Sequence, residues 1–167
     1  MVGPLRRINP VKIKRNTNGD TRVATHVPTI EEFFKANYTH TEDVKNIAGL
    51  FAQILGYSVS DHDWTKRNEP YRSMFYRDMA AAMEHGKNFT DGEWAKLHYY
   101  ELERHHLNRH CPEDVDLFDV IEMICDCIAA GMARSGEVRD IEISPEVLSK
   151  SIKNTVEILK KYIELED

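Results

Sequence analysis

A short stretch near the middle of the chain combines the residue types that a metal-phosphate site requires. Residues 60–67 read Ser-Asp-His-Asp-Trp-Thr-Lys-Arg, so an imidazole, a carboxylate and an ammonium follow one another closely. His62 and Asp63 could each give one ligand to a divalent cation, and Lys66 could hold the anion that the cation polarises. Because a His-Asp pair by itself is common, the hypothesis of a metal site depends on further histidines and acids.

A second group of histidines lies further along the chain, on a predicted helix. His98, Glu101 and His105 are spaced by three and four residues and therefore share one helix face, and His106 follows at once. Imidazoles placed in this way can approach one cavity from its wall. The alternative is a helix end at which the histidines interact with the negative pole of the helix or with solvent.

A third group consists of acids in an otherwise apolar segment. Asp119, Glu122 and Asp126 follow one another at spacings of three and four. Such acids either form a solvated stripe or are compensated inside the protein by cations. Because Asp126 stands between Cys125 and Cys127, we expect it to face a functional interior, whereas both alternatives stay open for Glu122.

One more histidine lies upstream of these groups. A helical stripe with steps of three and four is formed by His40, Val44, Ile47, Phe51 and Ile54. This spacing predicts that His40 lies on the face that packs against the core. A polar residue that points inward is a candidate for a functional role.

The order of these residues resembles that of a known superfamily. His40, His62-Asp63, His98, His105-His106 and Asp126 follow the pattern of the HD-domain superfamily of metal-dependent phosphohydrolases, and His-Asp-Trp-Thr-Lys at 62–66 is similar to its His-Asp-x-x-Lys signature. The chain also resembles, over residues 37–136, a family of small, functionally unassigned phage and bacterial proteins. Their Glu-Met-x-x-Asp helix is matched by Glu122 to Asp126.

The resemblance implies an HD-domain-like helical bundle with a site for one or two ions. His40, His62, Asp63 and Asp126 would form the basic metal set, and Asp63 could bridge to a second ion. The second ion would take His98 and one of His105 or His106. The mixture of imidazole and carboxylate suits a divalent transition metal, namely Mn, Fe, Co or Zn.

The resulting functional prediction is a metal-dependent phosphohydrolase that acts on a small phosphate ester. Among such esters, a nucleotide is the favoured substrate. The candidate catalytic residues are Asp63, Lys66, His105, His106 and Glu122. Lys66 would bind a phosphate oxygen, and a histidine of the pair that is not a ligand would protonate the leaving group. The alternatives are an HD-type diiron oxygenase and a phage-encoded factor that binds a nucleotide or a protein without turnover.

Local start and stop signals predict an all-α fold. Thr29-Ile30-Glu31-Glu32 reads as a capping box that opens a helix, and the helix with the His40 stripe comes next. Further helices are predicted over 71–84, from a capping box at 90–93 to about Arg104, from near Pro112 to Ser135, and after Ser144-Pro145. Residues 1–28 are predicted to form an irregular or hairpin arm, and residues 29–167 one helical domain.

Composition and charge limit the class of protein. The chain has 167 residues, 41% of them hydrophobic, and a net charge of −6, and its N-terminal arm is basic. The acidic body does not suit duplex nucleic acid, and a homo-oligomer stays open. Without an apolar run of about 18 residues or a secretory apolar segment, we expect no membrane association and a cytoplasmic location, the host cytoplasm if a phage encodes the protein. The three cysteines are expected to be reduced core thiols.

Overall fold

The chain is mostly helical, which confirms the all-α prediction. The computed structural model describes residues 8–16, 18–138 and 140–166. These residues form two compact units. The first consists of the residues up to Tyr57 together with those from Val156 onward, and the second of Ser58–Thr155. The elements are β1 (Val11–Lys14), α1 (Ile30–Ser60), α2 (Trp64–Arg67), α3 (Tyr71–His85), α4 (Glu93–Leu97), α5 (Leu117–Ser135), α6 (Pro145–Lys160) and β2 (Ile163–Glu166). The predicted boundary between residues 28 and 29 stays a prediction.

The strand of the N-terminal arm pairs with the end of the chain. β1 runs parallel to β2, with Val11 opposite Ile163, and the Lys12 ammonium lies 2.8 Å from a carboxylate oxygen of Glu166. The hairpin alternative for the arm is therefore wrong. After the turn, the Asp20 side chain accepts a hydrogen bond from the backbone N–H of Arg22 and caps a short 3-10 helix, so the chain forms no second strand there.

The capping box at the start of α1 is confirmed. The Glu32 N–H donates to Thr29 Oγ1 at 3.2 Å, and the Thr29 N–H donates to Glu32 Oε2 at 2.8 Å. The two helices predicted after Thr29 are one helix of 31 residues. They join because the segment between them holds neither a proline nor a glycine that would end the first helix.

The expectation that His40 packs against the core is wrong. His40 is exposed on α1, and Val44, one turn further along the same stripe, is 52% exposed. The buried residues of the helix are Ala36, Leu50 and Ile54. Helical periodicity identifies the apolar face of α1, but tertiary packing decides over which length that face is covered.

Side chains around Trp94 form the core next to α3 and α4. Trp94 is 1% exposed, and the centroid of its ring lies 4.5 Å from that of the Phe75 ring and 5.5 Å from that of the Phe89 ring. Asp78 on α3 accepts a hydrogen bond from the Trp94 N–H at 2.9 Å. This bond caps α4, and the capping box predicted at residues 90–93 does not form.

The helix predicted to reach Arg104 ends earlier. α4 stops at Leu97, and residues His98–Leu102 form a π-helical turn closed by a bond from the Glu103 N–H to the His98 carbonyl, 3.3 Å long. The wider turn shifts the residues after it away from the α-helical positions. Glu101 lies within this turn and is exposed, whereas His105 lies beyond its end at Leu102 and is buried, so the prediction that they share a helix face is wrong.

The start of α5 is fixed by side chains rather than by Pro112. Asp116 and Asp119 form a capping box, and the Leu117 N–H donates to Thr155 Oγ1 of α6 at 2.8 Å. Asp119 also receives two hydrogen bonds from the Arg104 guanidinium, of 2.8 and 2.7 Å. The predicted ends at Ser135 and Ser144-Pro145 are confirmed, with Gly136 at a positive φ of 74°.

Two expectations from composition concern burial and membranes. The three cysteines are free, as expected, but Cys125 is exposed and Cys111 and Cys127 are only half-buried, so they are not core thiols. Among the described residues, every helix is too short or too polar to cross a membrane.

Candidate metal centre

The backbone between α1 and α2 gives Asp63 an unusual conformation. Asp63 has a φ of 56°, the only described residue other than glycine with a positive φ. An L-residue in this left-handed region costs about 1–2 kcal/mol, and Asp tolerates it better than most residues. The turn directs one carboxylate oxygen, Oδ2, to the Lys66 ammonium at 2.5 Å. Burial acts to raise the pKa of Asp63, but the hydrogen bond and charge of Lys66 lower it below its ordinary value, so the carboxylate is ionised near neutral pH.

His62 lies between two carboxylates on one side and a third on the other. Its Nε2 is 3.5 Å from Asp63 Oδ2 and 3.6 Å from Asp126 Oδ1. Its Nδ1 is 3.0 Å from Glu122 Oε1. Because an ionised carboxylate can only accept, the bond to Glu122 requires a proton on Nδ1, so the neutral form of the ring has its lone pair on Nε2.

The same oxygen of Glu122 also orients His105. His105 Nδ1 lies 3.1 Å from Glu122 Oε1, and the His62 and His105 ring centroids are 4.5 Å apart. Burial acts to raise the pKa of Glu122, but the hydrogen bonds from His105 and His62 lower it. Burial opposes the charged form of His105, yet its bond to Glu122 raises its pKa. Glu122 is therefore ionised near neutral pH, and both imidazoles are hydrogen-bonded to it.

His105 also carries an unpartnered polar atom. Its side chain is 1% exposed, and its Nε2 has no hydrogen-bond partner in the described part of the chain. Asp63 Oδ1 is likewise buried without one among the described residues. Since buried polar atoms are nearly always satisfied, two such atoms in one cluster indicate a place for an ion or a water molecule.

His98 is held by a hydroxyl and an indole. Its Nδ1 lies 2.7 Å from Thr65 Oγ1, its ring stacks on Trp94 at 4.2 Å between centroids, and its Nε2 is 3.5 Å from Asp63 Oδ1. Glu103 Oε1 accepts the Thr65 N–H at 2.9 Å. Burial lowers the pKa of His98 to about 3, so the ring is neutral, which is the form that binds metal.

His106 approaches the same side of the cluster. Its Nε2 lies 2.7 Å from His98 Nε2, which is the length of a hydrogen bond between the two rings. Burial lowers the pKa of His106 to about 2. His106 is therefore also neutral near pH 7.

Three groups in this cluster have ligand atoms close enough to hold a metal ion. The atoms of each group lie within 4.8 Å of one another, and the groups are His62 with Asp63 and His105, Asp63 with His98 and His106, and His105 with His106 and Asp126. Nitrogen and carboxylate ligands of this kind suit borderline divalent cations. The donor set, together with the two unpartnered atoms, fits a bound ion.

The structure brings together most of the residues singled out from the sequence. This cluster contains eight of them, namely His62, Asp63, Lys66, His98, His105, His106, Glu122 and Asp126. His40 belongs to none of the three groups, and its role as a ligand stays a prediction. Sequence reasoning missed Thr65, which binds His98, and Glu103, which accepts the Thr65 N–H. Thr65 could have been found inside the His-Asp-Trp-Thr-Lys motif, whereas Glu103 reaches its place through the π-helical turn and carries no periodic signal.

The fold and the site define an all-α protein with a cluster of histidines and carboxylates that could hold a metal ion. Residues 29–165 match DUF5662, a family of unknown function, and the chain belongs to this family. No curated protein and no solved structure gives a significant match. The resemblance to the HD-domain superfamily stays a prediction.

Proposed function

We propose that the protein is a metal-dependent phosphohydrolase that acts on a small phosphate ester of the nucleotide class. The observation that carries the proposal is the unpartnered Nε2 of His105, buried beside His62, Asp63 and Asp126. In its neutral form the His105 ring, whose Nδ1 donates to Glu122, has its lone pair on Nε2, and a metal ion can bind this nitrogen. The resident ion would be Mn, Fe, Co or Zn, since imidazole and carboxylate ligands suit these ions.

A cation in this cluster would acidify water and stabilise negative charge on phosphoryl oxygens. Lys66 supplies the second positive charge. Its ammonium forms an ion pair with Asp63 Oδ2, and its side chain is 37% exposed. Lys66 is therefore in contact with both the cluster and solvent. A lysine in this position could bind an oxygen of the phosphate group as a point charge.

The surroundings of the other catalytic candidates favour different roles. Glu122 binds Nδ1 of two imidazoles and would act by orienting them. His106 titrates far below neutral pH because of burial, with a pKa of about 2, so it suits a neutral ligand better than a proton donor. His105, whose Nε2 is unpartnered in the described structure, also suits a ligand.

The test combines metal analysis with a search for activity. Protein purified without chelator is analysed for its elements, and phosphate release is screened over nucleotides with Mn, Fe, Co and Mg. We expect about one or two transition-metal ions per chain and phosphate release from at least one nucleotide. Asp63→Ala should lose both the bound metal and the phosphate release. His40→Ala is the matched control and should keep both, because His40 is exposed and lies outside the three groups.

The outcomes separate the alternative functions. Iron with oxygen uptake and no phosphate release would replace the proposal with the diiron oxygenase. Nucleotide affinity without product under any metal would favour the binding factor. Full metal content in Asp63→Ala would show that the cluster is not the metal site.

A further inference from the structure

We propose that the first part of α1 is a dimerisation surface, on which the same helix of a second copy of this chain packs in the antiparallel direction. The surface lies between Ile30 and Ala48, within the first compact unit. The inference is independent of the metal centre and of the proposed reaction.

A largely apolar stripe on this part of α1 faces solvent. Its members recur in alternating steps of four and three, and they are Ile30, Phe34, Asn37, Thr41, Val44 and Ala48. All six are exposed, Ile30 by 77%, Phe34 by 66% and Val44 by 52%. The residues that α1 buries, Ala36, Leu50 and Ile54, do not belong to this stripe. The helix therefore has a second apolar face, which the described part of the chain leaves uncovered.

The spacing of the stripe is that of a coiled coil. Steps of four and three repeat every seven residues, which keeps such a stripe on the contact side of two helices that wind around each other. A polar residue such as Asn37 at a core position fixes the register at a cost in stability. Thr41 Oγ1 donates to the Asn37 carbonyl of its own chain at 2.9 Å, so it can still accept from the Asn37 amide of the second copy.

Side-chain sizes favour the antiparallel direction. With a two-fold axis at the level of Thr39, Ile30 faces Ala48 of the second copy, and Phe34 faces Val44. Large side chains then meet smaller ones in each layer. A parallel pair places every residue opposite its own copy, so two Phe34 rings compete for one place and the two Ala48 methyl groups leave a gap.

Charges beside the stripe favour the same direction. In the antiparallel dimer Glu31 lies next to Lys45 of the second copy, and the two-fold axis repeats this pair. Glu31 is exposed and forms no ion pair within the described ranges of the chain. Lys45 is also exposed, and it contacts Glu42 of its own chain at 2.8 Å. A parallel pair instead brings Lys45 beside His40.

Aromatic side chains along the stripe supply much of the contact area. Phe33, Phe34 and Tyr38 are 51%, 66% and 69% exposed. Because an aromatic side chain buries about 150–250 Å², these three bury roughly 400 Å² per chain in the dimer. A standard interface buries about 800 Å² per partner, so the aromatic residues alone reach about half of that area.

The dimer is tested with the full chain by sedimentation over a range of concentrations. We expect a reversible equilibrium between one chain of 19.4 kDa and twice that mass, with a Kd on the order of micromolar. Val44→Glu should weaken the dimer by about 100-fold or more, because it buries a carboxylate against Phe34. Met83→Glu is the matched control and should leave Kd unchanged, since Met83 is 80% exposed on α3. Circular dichroism checks that each variant is folded.

Charge reversal tests the direction of the two helices. Glu31→Lys and Lys45→Glu should each weaken the dimer by about 5- to 30-fold, because each places two pairs of like charges beside the stripe. The double variant restores opposite charges and should return Kd to within about threefold of wild type. If Val44→Glu fails to fold, these variants decide.

Three results would overturn the inference. The first is a wild-type chain that stays monomeric at about 100 µM. The second is a dimer that a folded Val44→Glu variant leaves unchanged, which would place the contact on another surface. The third is a double charge variant that stays as weak as the single ones, which would exclude the antiparallel direction.

Discussion

Glu122 is the residue on which the geometry of the cluster depends most. One of its oxygens accepts hydrogen bonds from His62 and His105, which come from different parts of the chain. Both bonds are charge-assisted, since the pKa of Glu122 is lowered by the two imidazoles in spite of burial. A carboxylate in this place sets the tautomer and the direction of both rings.

The first prediction at the residue scale concerns this shared carboxylate. Glu122→Gln keeps the size of the side chain but removes the charge, and a neutral amide oxygen accepts the two ring N–H groups more weakly than a carboxylate oxygen does. We expect Co²⁺ affinity to fall by about 10- to 100-fold. Calorimetry measures this change, and Glu101→Gln is the matched control because Glu101 is exposed. An unchanged affinity in Glu122→Gln would mean that Glu122 does not orient the ligands.

Lys66 allows a prediction that separates substrate binding from metal binding. Lys66→Ala should keep its metal content and lose most of its phosphate-release rate, by about 10²-fold, because the ammonium would act on the developing charge of the phosphate. Elemental analysis and rate measurements are made on the same sample. Lys96→Ala, an exposed lysine on α4, is the control. Loss of metal together with activity would make Lys66 a structural partner of Asp63.

At the scale of elements, the Asp78 carboxylate connects α3 to α4 and so positions Trp94, whose ring packs against His98 in the cluster. Asp78 accepts the Trp94 N–H, and Trp94 in turn stacks on His98. A side chain added at Gly92 would place its Cβ 2.7 Å from Asp78 Oδ2, so the glycine permits this close approach. The capping bond therefore links the start of α4 to the orientation of a candidate ligand.

This arrangement predicts how stability changes with pH. Burial acts to raise the pKa of Asp78, but the Trp94 N–H and Arg77 lower it. A lowered carboxyl pKa gives stability above the ordinary value of about 4, and that stability is lost as the pH falls through the folded-state pKa. Asp78→Ala should cost about 1–2 kcal/mol near neutral pH, with a smaller difference at low pH.

Urea unfolding of metal-free protein at several pH values measures the effect of Asp78→Ala. Asp91→Ala is the control, because Asp91 is an exposed acid in the neighbouring 3-10 helix. A cost for Asp78→Ala that does not change with pH would show that the side chain acts through packing and not through its charge.

At the scale of the whole molecule, the two ends of the described chain meet in the parallel pair of β1 and β2. The Val11 N–H donates to the Tyr162 carbonyl at 2.8 Å, and the Arg15 N–H donates to the Glu166 carbonyl at 2.7 Å. A two-stranded sheet is marginal by itself, so it depends on each of its hydrogen bonds.

Val11→Pro should release the C-terminal strand. Proline removes the N–H that binds Tyr162, and we expect amide hydrogen exchange in Ile163–Glu166 to accelerate by about tenfold or more. Val11→Thr keeps the N–H and should leave exchange close to wild type. Equal exchange in both variants would contradict the strand pairing.

The sequence by itself determined the all-α fold class, several helix ends and the residues that could do chemistry. Periodicity of three and four identified the helices, and the capping box at Thr29, the proline at 145 and the glycine at 136 marked their ends, because these signals act within one or two turns. The histidines and acids of the cluster could be chosen because few residue types bind metal ions. Local chemistry was sufficient for these predictions.

Only the tertiary structure decided how these residues are combined. The π-helical turn after Leu97 separates Glu101 from His105 and brings His98 to His106, and a regular helical period could not predict it. The exposure of His40, the pairing of β1 with β2 and the place of Glu122 between two imidazoles depend on contacts between residues far apart in the chain. Such contacts are fixed by packing and burial, which the spacing of residues along one element does not record.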